Sequence, residues 1–280
     1  MSLKEIKVRM QAIEKTASIT FAMHNIALSK IKKSTELLKH SNRFLEHIKD
    51  VIVHANQNLE NGDRYTAKSE GKKFLYVLIT SDRGLAGSYH NQLFKAFLDE
   101  VKDLNKDDYQ VFVIGRKGFF FVEKNHLPRV NDQIISNRDD ISTLYFRNYA
   151  SLMKEVFTEG YVDEIIIFHN HYINTGTQQV YKETILPIAL DEKQTITNDY
   201  IYDEDPQVVL DKTMNVYLES RIFEAIADAK LSEQASRMIA MKNATDNANE
   251  IVSQLNLLYH RERQREITNE IIDVINGANV

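Results

Sequence analysis

The feature that most constrains this chain is a stretch of about 70 residues, Gln207 to Asn276, that contains neither glycine nor proline. If it forms one unbroken helix, a rise of ~1.5 Å per residue gives a length of roughly 105 Å. Helices in globular proteins average about 10 to 14 residues. A helix this long therefore has to lie against another helix or extend away from a globular body.

The apolar residues of this stretch change their spacing along its length. In the middle they recur at alternating intervals of three and four residues, which is the pattern of a coiled-coil seam. The seam residues are Met241, Ala244, Ala248, Ile251, Leu255 and Leu258. A charged segment follows at His260 to Glu266, the collar, and then an apolar tip between Ile267 and Ile275. The sequence thus predicts a paired shaft, a charged collar and an apolar tip, in that order.

The N-terminal segment keeps a similar seven-residue rhythm from Ile6 to Leu59. A 3.5-residue repeat sustained this far needs a companion helix along its length. The C-terminal helix lies at the opposite end of the chain, so we predict that the two form an antiparallel pair. Pairing of each helix with its own copy, in a homodimeric coiled-coil tether, is the alternative.

Between the two helical ends, short apolar runs alternate with amphipathic segments. Runs with strand character span residues 73–80, 109–114, 162–170 and 178–186. Helices are predicted at about 89–104, 118–125 and 141–158. Strands that alternate with helices favour a mostly parallel sheet with right-handed crossovers.

We therefore predict an α/β fold with two parts. One is a long antiparallel coiled coil of the N- and C-terminal helices, residues 1–61 and 207–280. The other is a central, mostly parallel, Rossmann-like α/β domain at residues 72–190, followed by a linker at 191–206.

Composition excludes several classes of protein. A net charge of -5 and a pI near 6.0 argue against a nucleic-acid partner, which requires a concentrated basic surface. The chain has no cysteine, which removes disulfides, thiol nucleophiles and cysteine-based metal sites, and favours a cytosolic location. The N-terminus lacks the apolar core of a signal peptide, and no apolar run approaches the ~20 residues that cross a bilayer. Any membrane role is expected to act through partners, without direct insertion.

The loop Ser81 to Gly87 lies at the predicted carboxyl end of a strand, where open α/β sheets bind their ligands. The spacing of Gly84 and Gly87 matches neither the dinucleotide fingerprint nor the P-loop. A structural or partner-contact role is favoured for this loop. The alternative is an α/β enzyme with a coiled-coil arm and a ligand site at Ser81 to Gly87.

His169 and His171 are two residues apart on one predicted strand and so point the same way, as two metal ligands do. No third ligand is evident nearby, and a hydrogen-bonded strand-end pair is favoured. No nucleophile with an adjacent base is evident elsewhere.

Five stretches together resemble the gamma subunit of F-type ATP synthase, the central rotor shaft. They are Ile19 to Lys33, Thr80 to Leu93, Ile185 to Ile188, Ser232 to Asn247 (SEQASRMIAMKNATDN) and Tyr259 to Glu270 (YHRERQREITNE). The two ends match specifically, and residues 117–200 match only in layout. The sequence departs from the family at Asn25, Ala86 and His260, and it lacks the regulatory cysteines of chloroplast forms.

The resemblance implies a non-catalytic shaft that binds no cofactor or metal and couples rotation of a membrane c ring to nucleotide-site changes in a ring of alpha and beta subunits. It also implies contact with the epsilon subunit and a peripheral location at the cytoplasmic face of a bacterial membrane. The positions that match the family's contacts are Met23, Lys30, Arg237, Arg263, Gln264, Thr268 and Glu270. Asp82 and Arg83 of the loop are further candidates for partner contact.

Overall fold

The structure is a computed structural model that describes residues 2–57, 59, 64–66, 71–137, 144–189 and 203–277. Its elements are α1 (Leu3–Gln57), β1 (Phe74–Ile79), α2 (Tyr89–Val101), β2 (Tyr109–Ile114), α3 (Arg116–Lys124), α4 (Leu144–Thr158), β3 (Glu164–Asn174), β4 (Thr177–Leu186) and α5 (Pro206–Gly277). The long stretch without glycine or proline is thus a single helix of 72 residues.

The chain divides into two compact units. The first, the helical unit, consists of residues up to Ser29 together with those from Arg237 onward. The second, the sheet unit, runs from Lys30 to Ser236 and so includes parts of both α1 and α5. The domain boundaries predicted from sequence assign both helices in full to the shaft, and they stay a prediction. Most of the predicted linker, residues 191–202, lies outside the described residues.

The sheet unit is built on four strands in the order β2-β1-β3-β4. β1 is parallel to both β2 and β3, whereas β4 is antiparallel to β3. This confirms the mostly parallel sheet, with an antiparallel strand at one edge. β1 is a continuous apolar run, and β2 is apolar apart from the exposed Gln110, because both faces of these strands are covered, as is usual for parallel strands.

The two faces of the sheet pack against different helices. Alternate residues of β1 show this, since Leu75, Val77 and Ile79 belong to one apolar core and Tyr76 and Leu78 to the other. The first core contains α4 with the sheet-unit parts of α1 and α5, and the second contains α2 and α3. The sheet is therefore covered by helices on both faces, as a Rossmann-like arrangement requires.

In the helical unit, α1 and α5 form the predicted antiparallel pair. The Thr20 and Thr245 hydroxyl oxygens are 2.7 Å apart, and His24 Nδ1 lies 3.1 Å from the Met238 carbonyl oxygen. Residue numbers rise along α1 while those of their partners fall along α5, which fixes the direction. The small residues Ala17 and Ala27 of α1 are buried in this unit.

The predicted seam of α5 is wrong at one position. Met241, Ala248 and Leu255 are buried as predicted, but Ile251 is 40% exposed and Val252 is half-buried in its place. Intervals of three and four residues can begin with either step, and both resulting stripes contain the three buried residues. Which of the two stripes is buried depends on the partner helix, and the pattern of α5 alone gives no information about that helix.

Candidate partner-contact surfaces

Apart from the half-buried Glu262, the collar and the residues that follow it on α5 are exposed in this chain. Arg263, Gln264, Thr268 and Glu270, the predicted contacts of this segment, all have exposed side chains. The Thr268 hydroxyl donates a hydrogen bond to the carbonyl oxygen of Gln264 at 2.8 Å, within the helix. An arginine, an amide and a carboxylate thus remain exposed on one helix, where they can form ion pairs and hydrogen bonds with another protein.

The apolar tip is exposed as well. The fractions of side-chain surface open to solvent are 44% for Ile267, 54% for Ile271, 48% for Ile272, 71% for Val274 and 54% for Ile275. Monomeric proteins seldom leave a contiguous apolar patch uncovered, and such a patch usually marks an interaction site. The tip therefore faces solvent, as does the collar apart from the half-buried Glu262.

Met23 and Lys30, the predicted contacts from α1, are half-buried. Two apolar pairs, which the sequence reasoning missed, lie in the same part of α1. They are Ile19 with Ile26 and Phe21 with Leu28, and all four residues are more than 50% exposed. The members of each pair are seven residues apart and so share a helix face, whereas Ile19 and Phe21, two residues apart, lie on opposite faces.

Arg237 differs from the other predicted contacts because it is only 7% exposed. Ser232, Glu233, Gln234 and Ala235 just before it on α5 are also buried. Buried polar side chains require hydrogen-bond partners, so we infer that Arg237 interacts with other residues of its own chain. A partner-contact role for Arg237 stays a prediction.

The loop at the carboxyl end of β1 is organised by hydrogen bonds within the chain. The Asp82 carboxylate accepts the backbone N–H groups of Arg116 at 2.9 Å and Asn137 at 3.1 Å. Because Arg116 begins α3, the carboxylate occupies the position at a helix N-terminus where a phosphate would otherwise bind. A nucleotide phosphate would meet a negative charge there, which argues against the enzyme alternative.

The backbone next to this loop is closely packed. Gly115, just before α3, has φ of 101°, and a Cβ there would lie 2.4 Å from the Thr80 carbonyl oxygen. Asp82 is half-buried, whereas Arg83 is exposed and Leu85 is 65% exposed. The loop therefore presents Arg83 and Leu85 to solvent, while Asp82 stabilises the start of α3. Contacts of Asp82 and Arg83 with a partner stay a prediction.

The two histidines of β3 form the predicted hydrogen-bonded pair, through a residue that sequence reasoning missed. His169 Nε2 and His171 Nδ1 lie 2.9 Å and 2.6 Å from the same oxygen, Oδ2 of Asp228 on α5. Burial alone would raise the pKa of Asp228, but the hydrogen bonds from the two imidazoles and from the Tyr172 backbone lower it below its ordinary value.

An arginine lies near this pair. Arg221 on α5 bridges Glu183 of β4 and Glu224 of α5. Burial acts to lower the pKa of Arg221, but the two carboxylates raise it, so the guanidinium stays charged. Over the part of the chain that the structure describes, no group of three or more His, Cys, Asp or Glu side chains is arranged to hold a metal ion.

Within the described ranges, none of the helices has an apolar segment long enough to cross a membrane.

A family model described as ATP synthase matches residues 2–280 of the chain. The chain belongs to the ATP synthase gamma-subunit family. It is accordingly a rotor gamma subunit, as the resemblance of its two ends implies, and the alternative of an enzyme with a coiled-coil arm is not favoured.

Solved structures of mitochondrial ATP synthases contain chains with the same fold at low sequence identity. The central stalk and c-ring structure of Tetrahymena thermophila mitochondrial ATP synthase contains a chain that is 21% identical, with a TM-score of 0.62 over 81% of this chain and 99% of that one. The Euglena gracilis mitochondrial ATP synthase rotor in rotational state 1 contains one that is 18% identical, with a TM-score of 0.65 over 95% of this chain and 98% of that one.

A Euglena gracilis structure of OSCP, F1 and c-ring in rotational state 3 gives a TM-score of 0.69 at 18% identity, over 99% of this chain and 93% of that one. The fold shared with these chains therefore extends over nearly the whole of this chain.

Proposed function

We propose that the chain is a non-catalytic rotor of a proton-translocating F-type ATP synthase. In this role it couples rotation of a membrane c ring to changes at nucleotide sites in a ring of alpha and beta subunits, and it also contacts the epsilon subunit. It would act as a peripheral subunit at the cytoplasmic face of the cell membrane. The chain itself would hold no nucleotide and perform no chemistry.

The observation that carries this proposal is the exposure of the collar and tip. From Arg263 to Asn276 every side chain of α5 is exposed, although five of them are large and apolar. Such a segment gains little from its own chain, so its residues are available to a surrounding protein. Desolvated interface arginines paired with carboxylates often contribute several kcal/mol to binding.

Coupling between rotation and nucleotide binding then follows because the helix pair contacts each catalytic site differently. A pair of unlike helices presents a different face to each catalytic site of a surrounding ring. As the pair turns, the contacts at each site change, and with them the free energy of nucleotide binding. This is a coupling free energy between remote sites, and it operates in both directions.

The collar can be tested by removing its polar contacts. Replacing Arg263 and Gln264 together with alanine is expected to leave thermal melting of the isolated chain nearly unchanged, because both side chains are exposed. The same change is expected to lower ATP turnover and proton pumping of the assembled complex. A matched control replaces the exposed Arg43 and Gln92, which lie outside the predicted contacts. If both pairs affect turnover equally, the collar has no special role.

A crosslink tests whether the collar moves. The chain has no cysteine, so Gln264→Cys provides a unique thiol that can be oxidised onto a cysteine placed in the beta subunit. Oxidation is expected to stop multisite turnover and reduction to restore it, whereas Gln92→Cys leaves turnover unaffected. Full turnover in the crosslinked complex, with the helices intact, would contradict the rotor role of these residues.

A further inference from the structure

A cavity of about 280 Å³ lies in the sheet unit, between α4 and the amino ends of the first two strands. We call it the α4 cavity. Phe74 and Tyr109, the first residues of β1 and β2, line it together with Val162, which precedes β3. Leu152 and Met153 line it from α4. The cavity is thus at the end of the strands opposite to the loop after β1, away from the predicted partner contacts.

The interior of the α4 cavity is apolar and large enough for a small molecule. Its buried lining residues are Leu75, Tyr109, Phe112, Met153 and Val162, each no more than 8% exposed. An engineered cavity of about 150 Å³ with an apolar lining holds benzene. A cavity of about 280 Å³ therefore accommodates an aromatic ring with a short chain attached to it.

The opening of the cavity is both polar and apolar. Lys73 and Asp107 are exposed there, and Asp108 is half-buried. Leu152 and Tyr161 are 42% and 65% exposed, so the apolar lining continues out to solvent. Sites for small molecules combine such an apolar interior with a few polar groups that fix the orientation of the ligand.

The charged residues at the opening favour a cation. Among the described residues that line the cavity, the carboxylates of Asp107 and Asp108 outnumber the one ammonium group, that of Lys73. At neutral pH this leaves one excess negative charge. A ligand that carries one positive charge is complementary to it.

Two charged groups just beyond the lining cancel each other. Arg64 donates a hydrogen bond to the Val162 carbonyl oxygen at 3.3 Å. The Asp163 carboxylate accepts the backbone N–H of Lys73 at 3.0 Å. These two groups add one charge of each sign, so the excess negative charge stays. The exposed ring of Tyr161 also favours a cation, which is attracted to the face of an aromatic ring.

We propose that the α4 cavity binds a small amphipathic amine, with an apolar or aromatic body among the buried residues and an ammonium group near Asp107 and Asp108. Because the bound molecule contacts both α4 and the strands, it stabilises the sheet unit by mass action. The inference concerns the chain by itself and does not depend on the proposed rotor function.

The methyl group of Met153 gives a direct measurement, since this side chain lines the cavity. In the full chain, labelled with ¹³C at its methionine methyl groups, the probe is 2-phenylethylammonium. The Met153 resonance is expected to shift and to saturate with a Kd of about 1 mM, an affinity within reach of so small a ligand. The resonance of Met241 in the helical unit is the internal control and is expected to stay in place.

Two further probes with the same ring separate the effect of charge from that of shape. They are the neutral 2-phenylethanol and the negatively charged 3-phenylpropionate. We expect the alcohol to bind about threefold and the carboxylate about tenfold more weakly than the amine, because charges at an exposed opening are partly screened by water. If the alcohol binds as tightly as the amine, the cavity takes neutral apolar molecules and the proposal is wrong.

Removing the two carboxylates tests their role. In the double variant Asp107→Asn with Asp108→Asn, the preference for the amine over 3-phenylpropionate is expected to disappear, because only the charge of Lys73 remains at the opening. The matched control is Asp246→Asn with Asp273→Asn, which removes the same charge at exposed positions of α5. The control is expected to keep the tenfold preference. The same preference in both double variants would overturn the proposal.

A second variant keeps the test decisive if the double variant fails to fold. Leu152→Trp places a larger side chain at the half-exposed opening, where it can fill the cavity without displacing the core. Binding of the amine is expected to weaken at least about tenfold. Leu98→Trp, at a comparably exposed leucine of α2 outside the cavity, is expected to bind as the unsubstituted chain does. Equal binding by the two tryptophan variants would place the probe elsewhere and overturn the proposal.

The remaining occupants are distinguished by the same resonance. Dilution of the unsubstituted chain without a probe is expected to leave the Met153 signal unchanged. A shift on dilution would mean that a second copy of the chain covers the cavity. The absence of any shift at about 10 mM of the amine, ten times the expected Kd, would mean that the cavity takes no such ligand. Either result overturns the proposal.

Discussion

Two segments of α5 have the same secondary structure and opposite surroundings. Between residues 210 and 236 most of the helix is buried, and Leu210, Met214, Leu218 and Ile222 are 0% exposed. Between residues 263 and 276 every side chain is exposed. A helix covered nearly all round belongs to a protein core, whereas an apolar helix exposed all round needs a partner. The first segment stabilises this chain, and the second is available to another.

The charged residues of the two segments also differ in their surroundings. In the buried segment, Arg221 and Asp228 each have partners from the strands, since an unpaired buried charge costs several kcal/mol. In the exposed segment, Arg265 lies 3.9 Å from Glu262, and this solvent-exposed ion pair contributes little to stability. The charged residues of the first segment are restricted by their partners in this chain. Those of the second segment are available to contact another protein.

The largest expected effect comes from making the same substitution, isoleucine to alanine, in each of the two segments. Ile222→Ala removes a side chain that is 0% exposed and is expected to lower the free energy of unfolding by about 3 to 4 kcal/mol. Ile271→Ala, at a side chain 54% exposed, is expected to change it by less than about 0.5 kcal/mol. Urea unfolding of the two isolated variants measures both. Similar losses in the two variants would mean that the tip packs against its own chain.

A smaller effect tests the seam of the helical unit. Leu255 is 7% exposed and Ile251 is 40% exposed, although both lie on the apolar side of α5. We expect Leu255→Ala to destabilise the unit by about 2 kcal/mol and Ile251→Ala by less than about 1 kcal/mol. Thermal melting followed by helical circular dichroism compares the two. The reverse order would restore the seam predicted from the sequence and place Ile251 against α1.

The smallest effect is a dependence on pH near the start of α5. A hydrogen bond from Lys154 lowers the pKa of Asp211, which also accepts the Tyr65 hydroxyl at 3.0 Å. Because the folded-state pKa lies below the unfolded value of ~3.9, this stabilisation is present above that pH and is lost as the pH falls through the folded-state pKa.

Asp211 is half exposed, so water screens the interaction, and Asp211→Asn is expected to destabilise the chain at pH 7 by less than about 1 kcal/mol. Melting at pH 7 and at pH 2 measures the difference, which is expected to vanish at pH 2. Asp273→Asn in the exposed segment is the control and is expected to have no effect at either pH. An equal effect of the two substitutions at pH 7 would mean that the Lys154 contact contributes nothing.

Much of the fold could be predicted because its signals are local. The long stretch without glycine or proline predicted α5, and the largely apolar runs predicted β1 and β2, because backbone propensity and burial on both faces leave their mark on neighbouring residues. The structure describes α1 as far as Gln57, and the predicted end of this helix at residue 61 lies outside the described residues. β3 continues to Asn174, beyond the predicted end at residue 170.

The candidate contact residues also fall into two groups, those that could be found from the sequence and those that could not. The exposed collar and tip could be found from the sequence because charged residues replace the seam there. The surroundings of Arg237 could not, since its burial depends on residues that are not its sequence neighbours. The spacing of Ile19 and Ile26 was visible in the sequence, but α1 has apolar residues on several faces, and only the partner helix decides which face is covered.

The sequence by itself determined the unbroken helix α5, the order of strands and helices along the chain, and the segments that resemble the gamma family. Only the tertiary structure decided which side chains meet. His171 and Asp228 are 57 residues apart in the chain, and Asp82 reaches the start of α3 at Arg116, 34 residues further on. Local patterns fix the backbone because each residue restricts its neighbours. Contacts across the fold depend on packing, which brings together residues whose sequence positions carry no mark of their partners.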